Sequence, residues 1–169
     1  AGEAFNRLSR FHSERAWEAL IPFTEVFGDR KPLLLRARRD IAMGLAYDRD
    51  ARAIPMFRSV PGYMLGPSAR EWRVRSALYF QDWEQVHAWI LEMPEDQRNE
   101  EAWRYWLARA DAATHRPAKA RQRFGELAKE RSYYGYLAAD ELDLPYAMNH
   151  VRAPVSTEAQ DNFRSLAGT

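Results

Sequence analysis

Apolar side chains recur at helical spacing along nearly the whole chain. In one segment Trp103, Trp106, Leu107 and Ala110 occupy positions i, i+3, i+4 and i+7, which places four apolar groups on one face of a helix. Similar stripes occur in the segments 17–21, 34–45, 86–93, 120–128 and 134–142. No stretch alternates apolar and polar residues for long enough to indicate a strand. The pattern therefore predicts an all-α protein.

Turn and capping residues divide the chain into short helices. Ser68 and Glu71 have the spacing of a capping box, in which both side chains satisfy free amides at a helix start, and Thr157 with Gln160 is a weaker example. Pro117 suits the first turn of a helix, where the missing amide hydrogen costs nothing. We predict helices near residues 3–11, 14–27, 32–47, 49–59, 68–80, 83–93, 99–114, 117–130, 133–142 and 157–167.

The predicted helices are short and their linkers are shorter, so successive helices must pack antiparallel. Helices 68–80 and 83–93 form one hairpin, and 99–114 with 117–130 form another about thirty residues later, close to the tetratricopeptide period. Leu107 stands where the tetratricopeptide pattern has a small glycine. A single hairpin cannot bury its own apolar face, so stacking must supply the core. The predicted fold is an all-α, right-handed superhelix or solenoid of short antiparallel helix pairs.

Composition narrows the classes of function. The 169 residues carry a net charge of +1, which provides no bulk attraction for nucleic acid. Cysteine is absent, which excludes disulfides and thiolate metal sites. No run of eighteen apolar residues is present, so we expect no membrane span. Residues 1–5 lack the basic start and apolar stretch of a signal peptide, so we expect none in this sequence.

Residues that could carry catalysis or bind a metal are scattered. Carboxylates cluster at Glu92/Glu95/Asp96, Glu100/Glu101 and Asp140/Glu141. Each cluster lies at a predicted helix end or on a polar face, where charge is solvated or interacts with the helix dipole. The histidines have no partner four residues away on one helix, as a zinc site of that type requires; they are His12, His87, His115 and His150. We therefore predict no metal, no cofactor and no catalytic residue in this chain.

A block of aromatic and basic residues extends from position 103 to position 140. It comprises Trp103-Arg104-Tyr105-Trp106, a helix that opens after Arg116, Arg131-Ser132-Tyr133-Tyr134, and Ala138-Ala139-Asp140. The upstream residues 73–78, Trp89, Met93-Pro94 and 39–42 keep the same register. Over roughly residues 1–150, the chain resembles the superhelical domain of the bacterial soluble lytic murein transglycosylases.

The resemblance implies a role in cell-wall turnover. In that family a superhelix of short helices forms a ring, and a separate lysozyme-like domain cleaves MurNAc-GlcNAc bonds of peptidoglycan to give 1,6-anhydro-muropeptides. The catalytic glutamate of that domain precedes a serine, and no glutamate here is followed by serine. We therefore expect residues 1–150 to be a scaffold fragment and residues 151–169 to begin a truncated linker, with the catalytic domain absent. The resemblance also implies a periplasmic location.

Aromatic residues make up 13% of the chain and fall into two groups. Those on apolar stripes are predicted to form the core: Trp89, Trp103, Trp106, Phe124 and Tyr134. Aromatic rings also stack on sugar faces, and arginine forks bind carboxylates such as those of peptide stems. We therefore predict a glycan-facing set: Trp72, Arg73, Arg75, Tyr79, Trp83, Arg104, Tyr105, Arg131 and Tyr133. The alternative is that these arginines pair with neighbouring Asp and Glu residues on the surface.

Two hypotheses of function follow. The first is a non-catalytic scaffold of a lytic transglycosylase, whose partners are peptidoglycan glycan strands and the catalytic domain of its own parent chain. The second is a tetratricopeptide-like adaptor that binds peptide or protein in its concave face. An arginine-rich RNA-binding solenoid is disfavoured by the near-neutral net charge.

Overall fold

Residues 2–148 are described by the structure, a computed structural model, and the regular elements in this range are all helical. The α-helices, α1 to α11 in chain order, are Gly2–Phe11, Ser13–Glu18, Leu20–Phe27, Lys31–Tyr47, Ala53–Arg58, Pro67–Tyr79, Trp83–Leu91, Glu95–Arg98, Glu101–Ala113, Pro117–Leu127 and Tyr133–Asp140. A 3-10 turn covers Gly62–Met64. The predicted all-α class is confirmed. The expected helix 157–167, its Thr157 cap and the linker 151–169 lie outside the described residues.

Three local predictions were wrong. The expected helix 14–27 is two helices that meet at Ala19, and α3 buries none of its residues, so Ile21 is 71% exposed. The short helix α8 was not predicted, and α5 begins at Ala53 because residues 48–52 form the preceding turn. Ser68 does not cap a helix, because α6 already begins at Pro67. Side-chain caps instead come from Asp82 and Ser132, which accept hydrogen bonds from the amides three residues later.

Four helices end in the same kind of backbone turn, which explains the thirty-residue repeat of the helix pairs. At each end a residue other than glycine adopts a left-handed conformation, with φ between 53° and 60°: Arg49, Gln81, His115 and Asp143. The amide of the next residue donates to the carbonyl five residues back, as from Asp50 to Leu45 and from Asp82 to Ala77, both at 2.9 Å. This is the hydrogen bond of a Schellman motif. The four turns recur about thirty residues apart and follow α4, α6, α9 and α11.

The core consists of two apolar clusters that share α9. The first cluster extends from α1 to α9 and includes Trp103 and Leu107. The second lies between α9, α10 and α11 and includes Tyr105 and Ala108. Trp106 packs against both clusters. Because opposite faces of α9 are buried, this helix joins the two halves of the described solenoid.

The predicted core aromatics lie in these clusters. Trp89, Trp103 and Phe124 are buried, each with 3% of its surface exposed. The Trp89 ring packs edge-on against Phe57, with centroids 6.2 Å apart. Trp106 and Tyr134 are half-buried and pack against the second cluster. Dispersion contacts in such dense interiors are individually small and add up over many atom pairs.

The strained turn after α9 predicts an unusual stabilising substitution. His115→Gly should raise the free energy of unfolding by about 0.5–1 kcal/mol. The left-handed conformation costs a residue with a Cβ about 1–2 kcal/mol, and glycine avoids this cost. The greater conformational entropy of glycine in the unfolded chain offsets part of the gain. The exposed Ala112, inside the same helix, provides the matched control. Ala112→Gly should lower the free energy by about 1 kcal/mol. Urea midpoints at unchanged slope measure both effects, and a loss of stability in His115→Gly would contradict the assignment.

Candidate functional site

A groove follows the line along which α4 and α6 pack. It consists of two clefts, of about 390 Å³ and about 250 Å³, that share the side chain of Tyr47. The first cleft lies at the start of α6 and the second at its end. We call this surface the α4–α6 groove and define it by Arg10, Arg39, Asp40, Tyr47, Arg49, Trp72, Arg75 and Tyr79. Because the clefts share Tyr47 and lie towards opposite ends of α6, the groove is elongated.

Four aromatic rings, of Tyr47, Trp72, Tyr79 and Phe80, line the second cleft of the groove. The rings of Tyr47 and Trp72 meet edge to face, with centroids 4.6 Å apart. Tyr79 is more than half exposed, and its ring packs edge-on against Phe80 at 5.0 Å. Exposed aromatic rings have an apolar face and, in tyrosine, a polar tip. The cleft therefore offers both stacking surfaces and hydroxyl groups to a ligand.

Two guanidinium groups lie over these rings. The Arg49 Cζ is 5.4 Å from the Tyr79 ring centroid, and the Arg75 Cζ is 5.4 Å from that of Trp72. Arginine stacks on aromatic faces at such distances and keeps its N–H edge available for hydrogen bonds. Arg75 Nη2 also forms an ion pair with Glu71 one turn earlier, at 2.9 Å. The α6 spacing of Glu71, Trp72 and Arg75 thus fixes one guanidinium beside the cleft.

The groove lining carries more positive than negative charge. Four arginines and one acid contribute to it. The acid is the buried Asp40, which pairs with Arg39 at 2.7 Å. After the pairs Arg39–Asp40 and Arg75–Glu71 are taken into account, the charges of Arg10 and Arg49 are not compensated within the lining. A negatively charged ligand would complement this surface.

The structure brings three of the predicted glycan-facing residues together: Trp72, Arg75 and Tyr79 all line the second cleft. Trp83, like Trp72, is half-buried against the first apolar cluster, but it is not among the residues that line the groove. Arg104 forms an ion pair with Glu130 at 2.7 Å, in agreement with the alternative that some of these arginines pair on the surface.

Two further members of the predicted set are buried. Arg73 is 2% exposed and pairs with Glu92 at 2.8 Å, with its Cζ 5.5 Å from the Trp89 ring centroid. Burial is the main reason that its pKa is lowered, and Glu92 opposes this effect. Tyr105 is 4% exposed and its hydroxyl donates to Glu141 Oε1 at 3.1 Å. Neither side chain is available to a ligand on the surface, so the prediction for these two residues is corrected.

The last two predicted residues, Arg131 and Tyr133, lie at the start of α11 and not in the α4–α6 groove. Tyr133 is well exposed and packs edge-on against Tyr134, with centroids 5.2 Å apart. Sequence reasoning missed Tyr47 and Arg49, which lie at the end of α4 and in the turn that follows it. The position of Tyr47, an aromatic residue at the end of a predicted helix, was the available sequence signal. The left-handed conformation of Arg49 has no sequence signal, because glycine is the usual residue there.

The fold and part of the sequence match solved lytic transglycosylases. Lytic transglycosylase Slt from Pseudomonas aeruginosa, solved as an inactive mutant, superposes on 96% of this chain with a TM-score of 0.77 and 29% identity. The 70-kDa enzyme Slt70 from Escherichia coli superposes on 92%, with a TM-score of 0.71 and 23% identity. The chain is similar to the helical region of the soluble lytic transglycosylases. The predicted resemblance and its superhelical fold are thereby confirmed.

Curated sequences support the same relationship. The soluble lytic murein transglycosylase of Salmonella typhimurium strain LT2 is 29% identical over 89 residues, and that of Escherichia coli K12 is 28% identical over the same length. Each match covers 53% of this chain and 14% of the relative. The chain also spans 27% of the Pseudomonas aeruginosa structure and 25% of the Escherichia coli structure. No family model matches the sequence.

The carboxylates of this transglycosylase-like chain are paired or solvated in the described range. General-acid chemistry on a glycosidic bond needs a carboxyl group whose pKa is raised, beside the scissile bond. The buried carboxyls among residues 5–148 are Asp40 and Asp111, which lie on different helices, each beside an arginine. Within the same range no three His, Asp or Glu side chains converge as metal ligands. Helices long and apolar enough to cross a membrane are also lacking among residues 2–148.

Asp111 is the centre of a polar contact that links three helices. It lies on α9 with no exposed surface, and Arg123 of α10 donates from Nε to its Oδ2 at 2.8 Å. His87 of α7 places Nε2 3.2 Å from the other oxygen, Oδ1. Burial lowers the pKa of His87, the charge of Arg116 lowers it further, and Asp111 opposes both. The desolvation effect outweighs the carboxylate, so His87 is neutral near pH 7.

The lowered pKa of His87 predicts a stability that depends on pH. The unfolded chain takes up a proton near pH 6.5 and the folded chain does so only at lower pH, so stability is fully present above pH 6.5 and decreases as the pH falls below it. His87→Gln should reduce the difference in unfolding free energy between pH 7 and pH 5.5. Equal pH dependence in wild type and His87→Gln would rule out this role.

Proposed function

We propose that this chain is the helical scaffold of a peptidoglycan lytic transglycosylase. In this role it holds the catalytic domain of its parent chain and guides glycan strands towards it. The observation that carries the proposal is the superposition on Pseudomonas aeruginosa Slt over 96% of the chain at 29% identity. The relatives are named soluble lytic murein transglycosylases, and murein is the substrate that their name gives.

In this proposal, glycan cleavage is carried out by a separate domain and not by the residues of this chain. Residues 1–150 form the scaffold, residues 151–169 begin a linker, and a lysozyme-like domain of the parent chain cleaves MurNAc-GlcNAc bonds to 1,6-anhydro-muropeptides. The paired and solvated carboxylates of residues 5–148 support this division, because none is a desolvated acid free to protonate a glycosidic oxygen. The proposed location is the periplasm, where murein lies.

The architecture suits a support. Helix α9 buries opposite faces in two clusters, and the contact between His87, Asp111 and Arg123 ties α7 and α10 to it. In stacked repeats of this kind each repeat is stabilised by its contacts with the neighbouring repeats, and the stack presents an extended surface. A rigid element is better than a loop at holding a site in a fixed position.

The thirty-residue repeat of Schellman turns favours one alternative, a tetratricopeptide-like adaptor that binds a peptide or protein. The two proposals differ in their ligand. An adaptor would bind a protein partner and show no affinity for murein, whereas a transglycosylase scaffold binds murein and the catalytic domain of the enzyme.

Incubation of the chain with purified insoluble murein tests the proposal. We expect the chain to sediment with murein and to release no soluble anhydro-muropeptides, because it lacks the acid that the reaction requires. A lysozyme in a parallel sample shows that the murein can be digested. Loss of turbidity caused by the chain alone would contradict the scaffold role, and a chain that stays in the supernatant would contradict strand guidance.

A further inference from the structure

We propose that the α4–α6 groove is the glycan-binding surface, and that it selects strands that carry carboxylates. Sugar rings stack on the exposed rings of Tyr47 and Tyr79, and the guanidinium group of Arg49, whose charge is not compensated within the lining, binds the carboxylates. This inference rests on the proposed function and specifies the surface and the chemistry of recognition.

The position of Arg49 is fixed by the backbone. Its own amide donates to the Ala46 carbonyl at 3.2 Å, and the next amide, of Asp50, donates to Leu45 at 2.9 Å. These bonds hold Arg49 in the left-handed conformation, with φ of 57°. Strained positions of this type persist where the surroundings determine them. The guanidinium thereby leaves the end of α4 at a defined place and lies over the Tyr79 ring.

The charge of Arg49 is available to a ligand. Its neighbour Arg52 is bound to Asp50 at 2.6 Å and also to Glu14. No ion pair of Arg49 with an acid is present among the residues that the structure describes, where its contact is the Tyr79 ring. A stacked guanidinium still presents several N–H donors in a plane, which matches a carboxylate. Arg49 is therefore the group best placed to bind an acidic substituent.

The shape and charge of the groove favour an acidic polymer over a small neutral ligand. Its two clefts share Tyr47 and lie towards opposite ends of α6, so together they form an elongated surface. Arg10 at one end and Arg49 at the other leave uncompensated positive charge along the path. Aromatic stacking is tolerant of the sugar, whereas the arginines require a negative group. Murein glycan carries carboxylates on its lactyl and peptide substituents, and chitin-type oligomers do not.

Calorimetric titration of the chain with soluble murein glycan strands stripped of peptide, which keep the lactyl carboxylates, tests this inference. Arg49→Asn is the decisive variant, because asparagine tolerates the left-handed conformation and the fold stays intact. It should weaken binding by about threefold to tenfold, the range for an exposed charged contact. Arg121→Asn removes the same charge from the exposed face of α10 and should leave binding unchanged. Chitotetraose, which is neutral, should bind more weakly than the acidic strands.

The outcomes separate this inference from the proposed function. If wild type and Arg49→Asn bind the acidic strands equally, the groove assignment is overturned although the murein-binding scaffold stands. If chitotetraose binds as well as the acidic strands, selection by carboxylate is overturned. A wild-type chain with no affinity for murein contradicts strand guidance itself. Tighter binding to single-stranded RNA than to murein glycan would assign the groove to another class of polymer.

Discussion

The burial of α9 on opposite faces is the constraint on which the rest of the described structure depends. An ordinary surface helix buries one apolar stripe and leaves the other side to water. In α9 the residues Trp103 and Leu107 belong to the first cluster, Tyr105 belongs to the second, and Trp106 packs against both. The helix therefore acts as a shared wall, and neither cluster can lose α9 without exposing large aromatic surface to water.

The groove is a consequence of how the first cluster is built. Buried residues of α4 and α6, such as Ile41, Leu45 and Val74, hold the two helices together, and the side chains at the edge of this contact form the groove walls. Arg75 connects the groove to the core, because its guanidinium lies near both the Trp72 and the Trp103 rings, at 5.4 and 5.6 Å. The lining of the groove and the core thus meet at one side chain.

The hydrophobic pattern predicted most helices and the main core residues because apolar burial sets both. It failed where burial does not follow a single stripe. Arg73 and Tyr105 carry polar groups and were assigned to the surface, yet both side chains are almost fully buried. Arg73 pairs with Glu92, and the Tyr105 hydroxyl donates to Glu141. Three residues that line the groove, Trp72, Arg75 and Tyr79, belong to the predicted glycan-facing set, whereas the position of Arg49 depends on a backbone turn that its side chain does not encode.

Native-state hydrogen exchange on Trp103→Ala tests the central role of α9 most directly. Trp103 belongs to the first cluster alone, and its truncation should cost about 3–5 kcal/mol, as for other buried tryptophans. If α9 is the shared wall, amide protection should fall by a similar free energy in α6 and α7 and also in α10 and α11, which Trp103 does not support directly. A loss of protection confined to α6 and α7, with α10 and α11 unchanged, would show that the two clusters are independent.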